Sequence, residues 1–194
     1  DGRGGIFGSN NPGESFPRIY HVDAGGDATT AWPVAGIELT PGMTLSRHAS
    51  IRTLAILPDG EGGMFVLTRQ KAPYQGSGGF WYPDQFFLHR RTANGGIAPG
   101  WAAGGLCLEA PYLDPRYTGL HLPRMAPDGA GGVLIAWLGL QWVNATNPQV
   151  VVQRVTAEGA RVWGDDGITV RASAGACTIP ALVGDGLGGA LVFW

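Results

Sequence analysis

Residues Pro123 to Trp137, PRMAPDGAGGVLIAW, and Val150 to Val170, VVVQRVTAEGARVWGDDGITV, decide the fold of this chain. Short apolar or β-branched runs alternate there with Gly-rich turns, and no 3.6-residue helical period fits them. The stretch reads as four antiparallel strands. PRMA ends in the turn Pro127, Asp128, Gly129; GVLIAW (Gly132–Trp137), VVVQRVT (Val150–Thr156) and GITVR (Gly167–Arg171) follow.

The rest of the sequence repeats this unit. The turn DGAGG at Asp128 recurs as DGRGG at Asp1, DGEGG at Asp59 and DGLGG at Asp185. A second element recurs downstream: a strand, an Ala, a Gly-containing turn, a Trp and then an aliphatic residue. Its copies are IYHVDAGG with Trp32 and Ile37, FLHRRTANG with Trp101 and Leu106, and VVQRVTAEG with Trp163 and Ile168. Two elements in a fixed order mark a repeat protein, and four-stranded meanders of this size form blades of a β-propeller. The expected fold is all-β: two complete blades of four-stranded antiparallel meander at 52–110 and 121–172, flanked by partial blades at 1–40 and 178–194. Together they make one propeller segment over 1–194. The phase of the repeat predicts part of a longer chain. A competing expectation is a filament or ring subunit whose copies complete each other's half-blades.

Physical roles follow for the repeated residues. Asp59, Asp128 and Asp185 are expected to bond the backbone two residues on, followed by a Gly free to take positive φ. One carboxylate per turn is too few for a calcium shell. Trp32, Trp101 and Trp163, placed at the start of the fourth strand, are expected to staple consecutive blades, with each indole N–H finding a carbonyl.

Composition narrows the class. Charged residues are 14% and the chain holds 33 Gly and 14 Pro, so it is turn-rich and strand-rich. Net charge is -2, and Lys71 is the only Lys among unclustered basic residues, which argues against a nucleic-acid partner. No apolar run approaches the roughly 20 residues of a membrane span. Cys107 and Cys177 form either one disulfide or two buried thiols.

Candidate chemistry is sparse. His21, His48, His89 and His121 lack the spacing of a zinc site, and no nucleophile elbow or phosphate loop is present. No catalytic residue, metal or cofactor is therefore expected. The most functional-looking stretch is the insertion YQGSGGFWYPDQFF between second and third strands of the 52–110 blade. Phe80, Trp81 and Tyr82 in a loop on a rigid scaffold suit binding of a glycan or protein; the alternative is that they cover their own blade's edge. Tyr112 and Arg116 in PYLDPRY form a second aromatic connection, and Asn144-Ala145-Thr146 fits a glycosylation acceptor.

The pattern P-x-x-x-x-D-G-x-G-G (from Pro123 and Pro180), a strand ending in Trp137 or Trp194, and Gln153-Arg154 before AEGARVW resembles a β-propeller repeat of large secreted bacterial proteins. That resemblance spans the chain and implies an extracellular or cell-surface setting, with no catalytic residues to carry over. The 52–110 blade departs from it, with Leu54 for the Pro and Thr68 for the strand-ending Trp. TAEGARVW is also similar in spacing to the docking motif of quinoprotein propellers, without their Thr-Gly pair or a matching cofactor site. The expected function is a non-catalytic extracellular module that binds through aromatic loops, with other blades or further copies of itself as partners. The alternative is part of a propeller enzyme, of glycosidase or quinoprotein type, whose catalytic residues lie elsewhere.

Overall fold

The computed structural model describes residues 5–10, 17–28, 32–40, 50–71, 74–76, 79–81, 84–108, 121–139, 149–172 and 181–194, without the side chains of 71–84, 121, 122, 139, 171 and 172. Its described residues hold strands and turns and no helix. The first sheet is β1 (Ile6–Asn10), β2 (Arg18–Val22) and β3 (Ile37–Glu38). In the second are β4 (Ser50–Pro58), β5 (Met64–Lys71), β8 (Asp84–Arg91) and β9 (Leu106–Cys107), with a separate hairpin of β6 (Tyr74–Gly76) and β7 (Gly79–Trp81) between β5 and β8. The third is β10 (His121–Pro127), β11 (Val133–Gly139), β12 (Gln149–Val155) and β13 (Ile168–Ala172); the fourth is β14 (Ala181–Gly184) and β15 (Ala190–Phe193). Within each sheet the strands run antiparallel in chain order. The protein is all-β.

Period-2 alternation explains how the sheets stack. On β5, Met64 and Val66 pack with Ile19, Trp32 and Leu39 of the first sheet, while Phe65 and Leu67 pack with Val133, Ile135 and Trp137 of the third. Both faces of the second sheet are thus covered, which is why β5 begins with four consecutive apolar residues. Each such large side chain contributes about 1.5–3 kcal/mol by leaving water. First strands neighbour each other across the sheets, β4 beside β10 and β10 beside β14. The sheets therefore succeed one another in chain order.

Two departures in the second sheet have local causes. Register shifts fall between Thr53 and Ala55 on β4 and between His121 and Arg124 on β10, so Leu54 and Pro123 both sit at bulges. A bulge leaves a residue out of the ladder, which is where a strand tolerates a missing N–H. In place of the strand-ending Trp, Thr68 is fully buried, with its Oγ1 3.1 Å from His89 Nε2 and 3.4 Å from the Phe87 carbonyl. A buried polar pair fills the site that Trp137 fills in the third sheet.

One expectation is corrected. Trp32 and Trp101 do not start the fourth strand: β3 and β9 begin five residues later, at Ile37 and Leu106, and both rings stand in the loop ahead of it. The cause is a glycine at which the chain turns in. Gly36 and Gly105 have φ of 74° and 84°, and a Cβ there would meet the third strand's carbonyl, at 2.8 Å from Ile19 O and 2.9 Å from Leu88 O. Gly167 repeats this at 2.6 Å from Val152 O, so Trp163 likewise precedes β13 (Ile168–Ala172). Apart from an isolated bridge at the turn, the fourth strand pairs after that glycine.

The meander order separates two ends of each sheet. At one end lie the DGxGG turns between first and second strands and the loops between third and fourth strands, where Trp32, Trp101 and Trp163 stand. Connections between second and third strands, and those leading on to the following sheet, leave from the other.

Candidate functional site

At the repeated-turn end the aspartates build the corners. Asp59 Oδ1 accepts from the N–H groups of Glu61 (2.9 Å) and Gly63 (2.8 Å). Asp128 Oδ1 does the same for Ala130 (2.8 Å) and Gly132 (2.7 Å), and Asp185 Oδ1 for Leu187 (2.7 Å) and Gly189 (2.8 Å). A Cβ on Gly132 would run into Val155 O and Asp128, which fixes the last glycine of the motif.

The second carboxylate oxygen of the first two reaches across its own sheet. Asp128 Oδ2 receives Arg154 Nε at 2.9 Å, and Asp59 Oδ2 receives Arg90 Nη2 at 3.0 Å. Burial works to raise the Asp128 pKa, but the N–H of Ala130, the Arg154 side chain and the N–H of Gly132 outweigh it and hold the carboxyl below its ordinary value. Asp128 is charged and completely paired inside the protein.

Tryptophan and arginine then join the sheets. Trp32 Nε1 donates to Ala93 O and Trp101 Nε1 to Ala157 O, both at 2.7 Å, and both rings are buried, at 5% and 9% exposure. Each acceptor belongs to the turn after the third strand of the following sheet, and the glycine of that turn seats the ring: a Cβ on Gly95 would lie 3.5 Å from Trp32, and one on Gly159 3.3 Å from Trp101. Arg90 Nη1 adds a second donor to Ala157 O at 3.0 Å, while its guanidinium lies 5.4 Å from the centre of the Phe65 ring. One carbonyl thus gathers a Trp and an Arg from the neighbouring sheet. Trp163 is held by Gln153, whose Oε1 accepts the Trp163 N–H at 3.1 Å and whose Nε2 donates to Gly164 O at 2.7 Å.

A further pair of arginines clamps the outer strands. Arg91 donates to Leu39 O of the first sheet, and Arg161 to Cys107 O of the second. Their sequence positions differ, because Arg91 lies at the end of a third strand and Arg161 lies beyond the turn. Yet Arg91 forms a β-bridge with Ile97, and Val155 forms the matching bridge with Arg161. Arg91 also reaches Glu38 O at 3.5 Å, the counterpart of Cys107 O, so equivalent outer-strand carbonyls are reached from opposite members of one cross-strand pair.

His89 occupies the place of Gln153 and is buried. Desolvation, with a smaller contribution from Arg91, pushes its pKa down to about 3, so it is neutral and packs as a structural side chain. His21 stacks on Phe7 with ring centres 4.3 Å apart and meets Trp32 edge-on at 5.6 Å.

Between the second and third sheets this end holds a cleft of about 440 Å³, lined by Asp59, Glu61, Arg90, Pro99, Ala157 and Glu158 among others. Arg90 binds Asp59, Glu61 at 3.3 Å and Ala157 O, so the central cation of the cleft is already paired. What the cleft brings together is the seam itself. Among the described residues no three His, Cys, Asp or Glu side chains gather as a metal shell would require.

The opposite end carries the material that does not repeat. The insertion, read from sequence as a loop, contains a backbone-paired ribbon: Tyr74 pairs with Trp81, Gln75 with Phe80 and Gly76 with Gly79. In sequence it lies between β5 and β8, whose last pair is Lys71 with Asp84. Phe80 and Trp81 lie on β7 at adjacent register positions. Tyr82, Tyr112, Arg116, Asn144 and Cys177 lie outside the described residues. Cys107 is on β9 and half-buried.

No protein-family description, characterised protein or solved structure matches this chain. Sequence reasoning missed Arg90, Arg91, Arg154 and Arg161 as structural partners. The signal for Arg90 and Arg154 was present: RRTANG and RVTAEG align as Arg-x-Thr-Ala-x-Gly.

Proposed function

We propose that the chain is a segment of a β-propeller acting as a non-catalytic structural and interaction module at the cell surface or outside the cell. It recognises a glycan or protein surface through the sheet ends that carry the aromatic ribbon. The observation that supports this reading is the division of labour between the two ends. At the repeated-turn end, Asp59, Asp128, Arg90, Arg154, Trp32 and Trp101 are engaged in holding corners and seams together. At the other, a two-stranded ribbon bearing Tyr74, Phe80 and Trp81 stands between β5 and β8 in sequence, strands of a second sheet covered on both faces. Aromatic residues on an extension of a rigid support offer contact area at small ordering cost.

The test is a binding screen of the chain against immobilised glycans and cell-surface extracts, repeated with Trp81→Ala and Phe80→Ala. Binding lost in both variants at unchanged melting temperature supports the reading. Equal binding by variants and parent moves recognition away from the ribbon, and a large drop in melting temperature makes Trp81 a packing residue.

A further inference from the structure

We propose that the open edge of β15, together with Trp163, Asp185 and Ile168, is a docking surface for a β-hairpin of this chain's own repeat type, one that carries Arg-x-Thr-Ala-x-Gly. The argument rests on four positions, each filled twice elsewhere in the molecule.

The first is the edge. β5 and β11 each pair on both sides, with β4 and β8 and with β10 and β12, whereas among the described residues β15 pairs only with β14. A second strand left with one row of free N–H and C=O groups is a template for another strand. The second position is the carboxylate. Asp59 and Asp128 each take a third-strand arginine on Oδ2, while Asp185, in the same turn, is exposed and has hydrogen bonds only at Oδ1 among the described residues.

The third is the ring. Trp32 and Trp101 are buried on the Ala carbonyl and Gly of the next sheet's turn, but Trp163 is only half-buried and its indole meets no such turn among the described residues. The fourth is the aliphatic residue five positions later. Ile37 and Leu106 pack into their clusters, and a Cβ on Gly95 would lie 3.0 Å from Ile37. Ile168 is 46% exposed.

One occupant answers all four. A third strand laid antiparallel on β15 would bring its arginine to Asp185, as Arg90 and Arg154 are brought to Asp59 and Asp128. The Ala-x-Gly of its turn would then stand where Trp163 and Ile168 meet it. A second copy of this chain does not supply such a hairpin. Its first-sheet turn carries His21 where the other copies have Arg90 and Arg154, and β2 is already paired on both sides. The third strands β8 and β12 are also paired on both sides. The occupant is therefore a hairpin with a free third-strand edge.

Trp194 holds the place after DGLGG that Trp137 holds after DGAGG, so a second copy of residues 138–172 can be appended directly after Trp194 in register. In the extended chain the amides of Ala190–Phe193 should gain about tenfold or more in hydrogen-exchange protection. The emission of Trp163, isolated by difference against Trp163→Phe, should shift to the blue. Both effects should shrink when Asp185→Asn is made, which keeps the oxygen that forms the turn, or when Arg154→Ala is made in the appended copy alone. Unchanged protection of β15 in a folded extended chain overturns the proposal, as does a gain indifferent to both substitutions. Self-association of the unextended chain that disappears in Trp163→Ala would assign the surface to a second copy and also overturn it.

Discussion

The repeated-turn end and the connection end of these sheets are built on opposite principles. At the first, polar groups satisfy one another: Asp128 Oδ1 takes two backbone N–H groups and its Oδ2 an arginine, and Ala157 O takes two donors from the adjacent sheet. Side chains so committed have little left for a ligand. At the second, insertions and connections differ in length and composition from one sheet to the next, and the aromatic ribbon of β6 and β7 is the clearest case. Stability is concentrated where the sequence repeats, leaving variation to the end where it does not.

The sharpest way to break this contrast is Trp101→Ala. Loss of the ring and of its 2.7 Å bond to Ala157 should cost about 4 kcal/mol in urea unfolding. Asp128→Ala comes next. It removes two turn bonds and strands Arg154, so about 3 kcal/mol is expected, against about 1 kcal/mol for Asp185→Ala, whose side chain makes only the two bonds to backbone N–H groups among the described residues. Equal losses at the two aspartates would mean that the cross-sheet arginine adds nothing.

Acid should act through the same end. His89 is neutral when folded and ordinary when unfolded, so its stabilising effect is complete above the usual histidine pKa. As pH falls from there toward about 3 the unfolded chain takes up the extra proton and stability declines. Asp128, with its pKa held down, adds a further loss as pH falls below the ordinary carboxylate value. Because Gln153 fills the matching place in the third sheet, His89→Gln should fold and should flatten the decline between pH 6.5 and 4.5, read from urea midpoints. Trp81→Ala should have the smallest effect on unfolding, within about 0.5 kcal/mol. A larger loss would place the ribbon on the structural side of the comparison.

The sequence disclosed what is local. A DGxGG turn carries its own geometry in an Asp that bonds the residues after it, so its corners were legible without any partner. The all-β class followed from short apolar runs between such turns. Contacts across 26 residues, Arg154 to Asp128, or 31, Arg90 to Asp59, were hidden, because nothing local distinguishes a paired third-strand arginine from a solvated one. The loop position of Trp32 and Trp101 was missed for another reason: the glycine that delays the fourth strand acts through a close approach to a carbonyl on the third. The ribbon is less legible than the corners, although aromatic residues on both sides of Gly76, Ser77, Gly78 and Gly79, Tyr74 before and Phe80 and Trp81 after, are a hairpin signal. On the recognition side, Phe80 and Trp81 were legible as candidates by composition alone.

The arginines that clamp the outer strands bear on how kinship between such repeats is detected. Arg91 and Arg161 perform one task from the two halves of a cross-strand pair, with Ile97 and Val155 as their respective mates. Aligned position by position, the two repeats would show an arginine lost at one column and an unrelated one gained six residues later. What the repeats share is the bridge as a unit: one cationic and one aliphatic member, in either order. A comparison that scores bonded pairs instead of single columns would recognise units of this kind where ordinary sequence comparison sees only divergence.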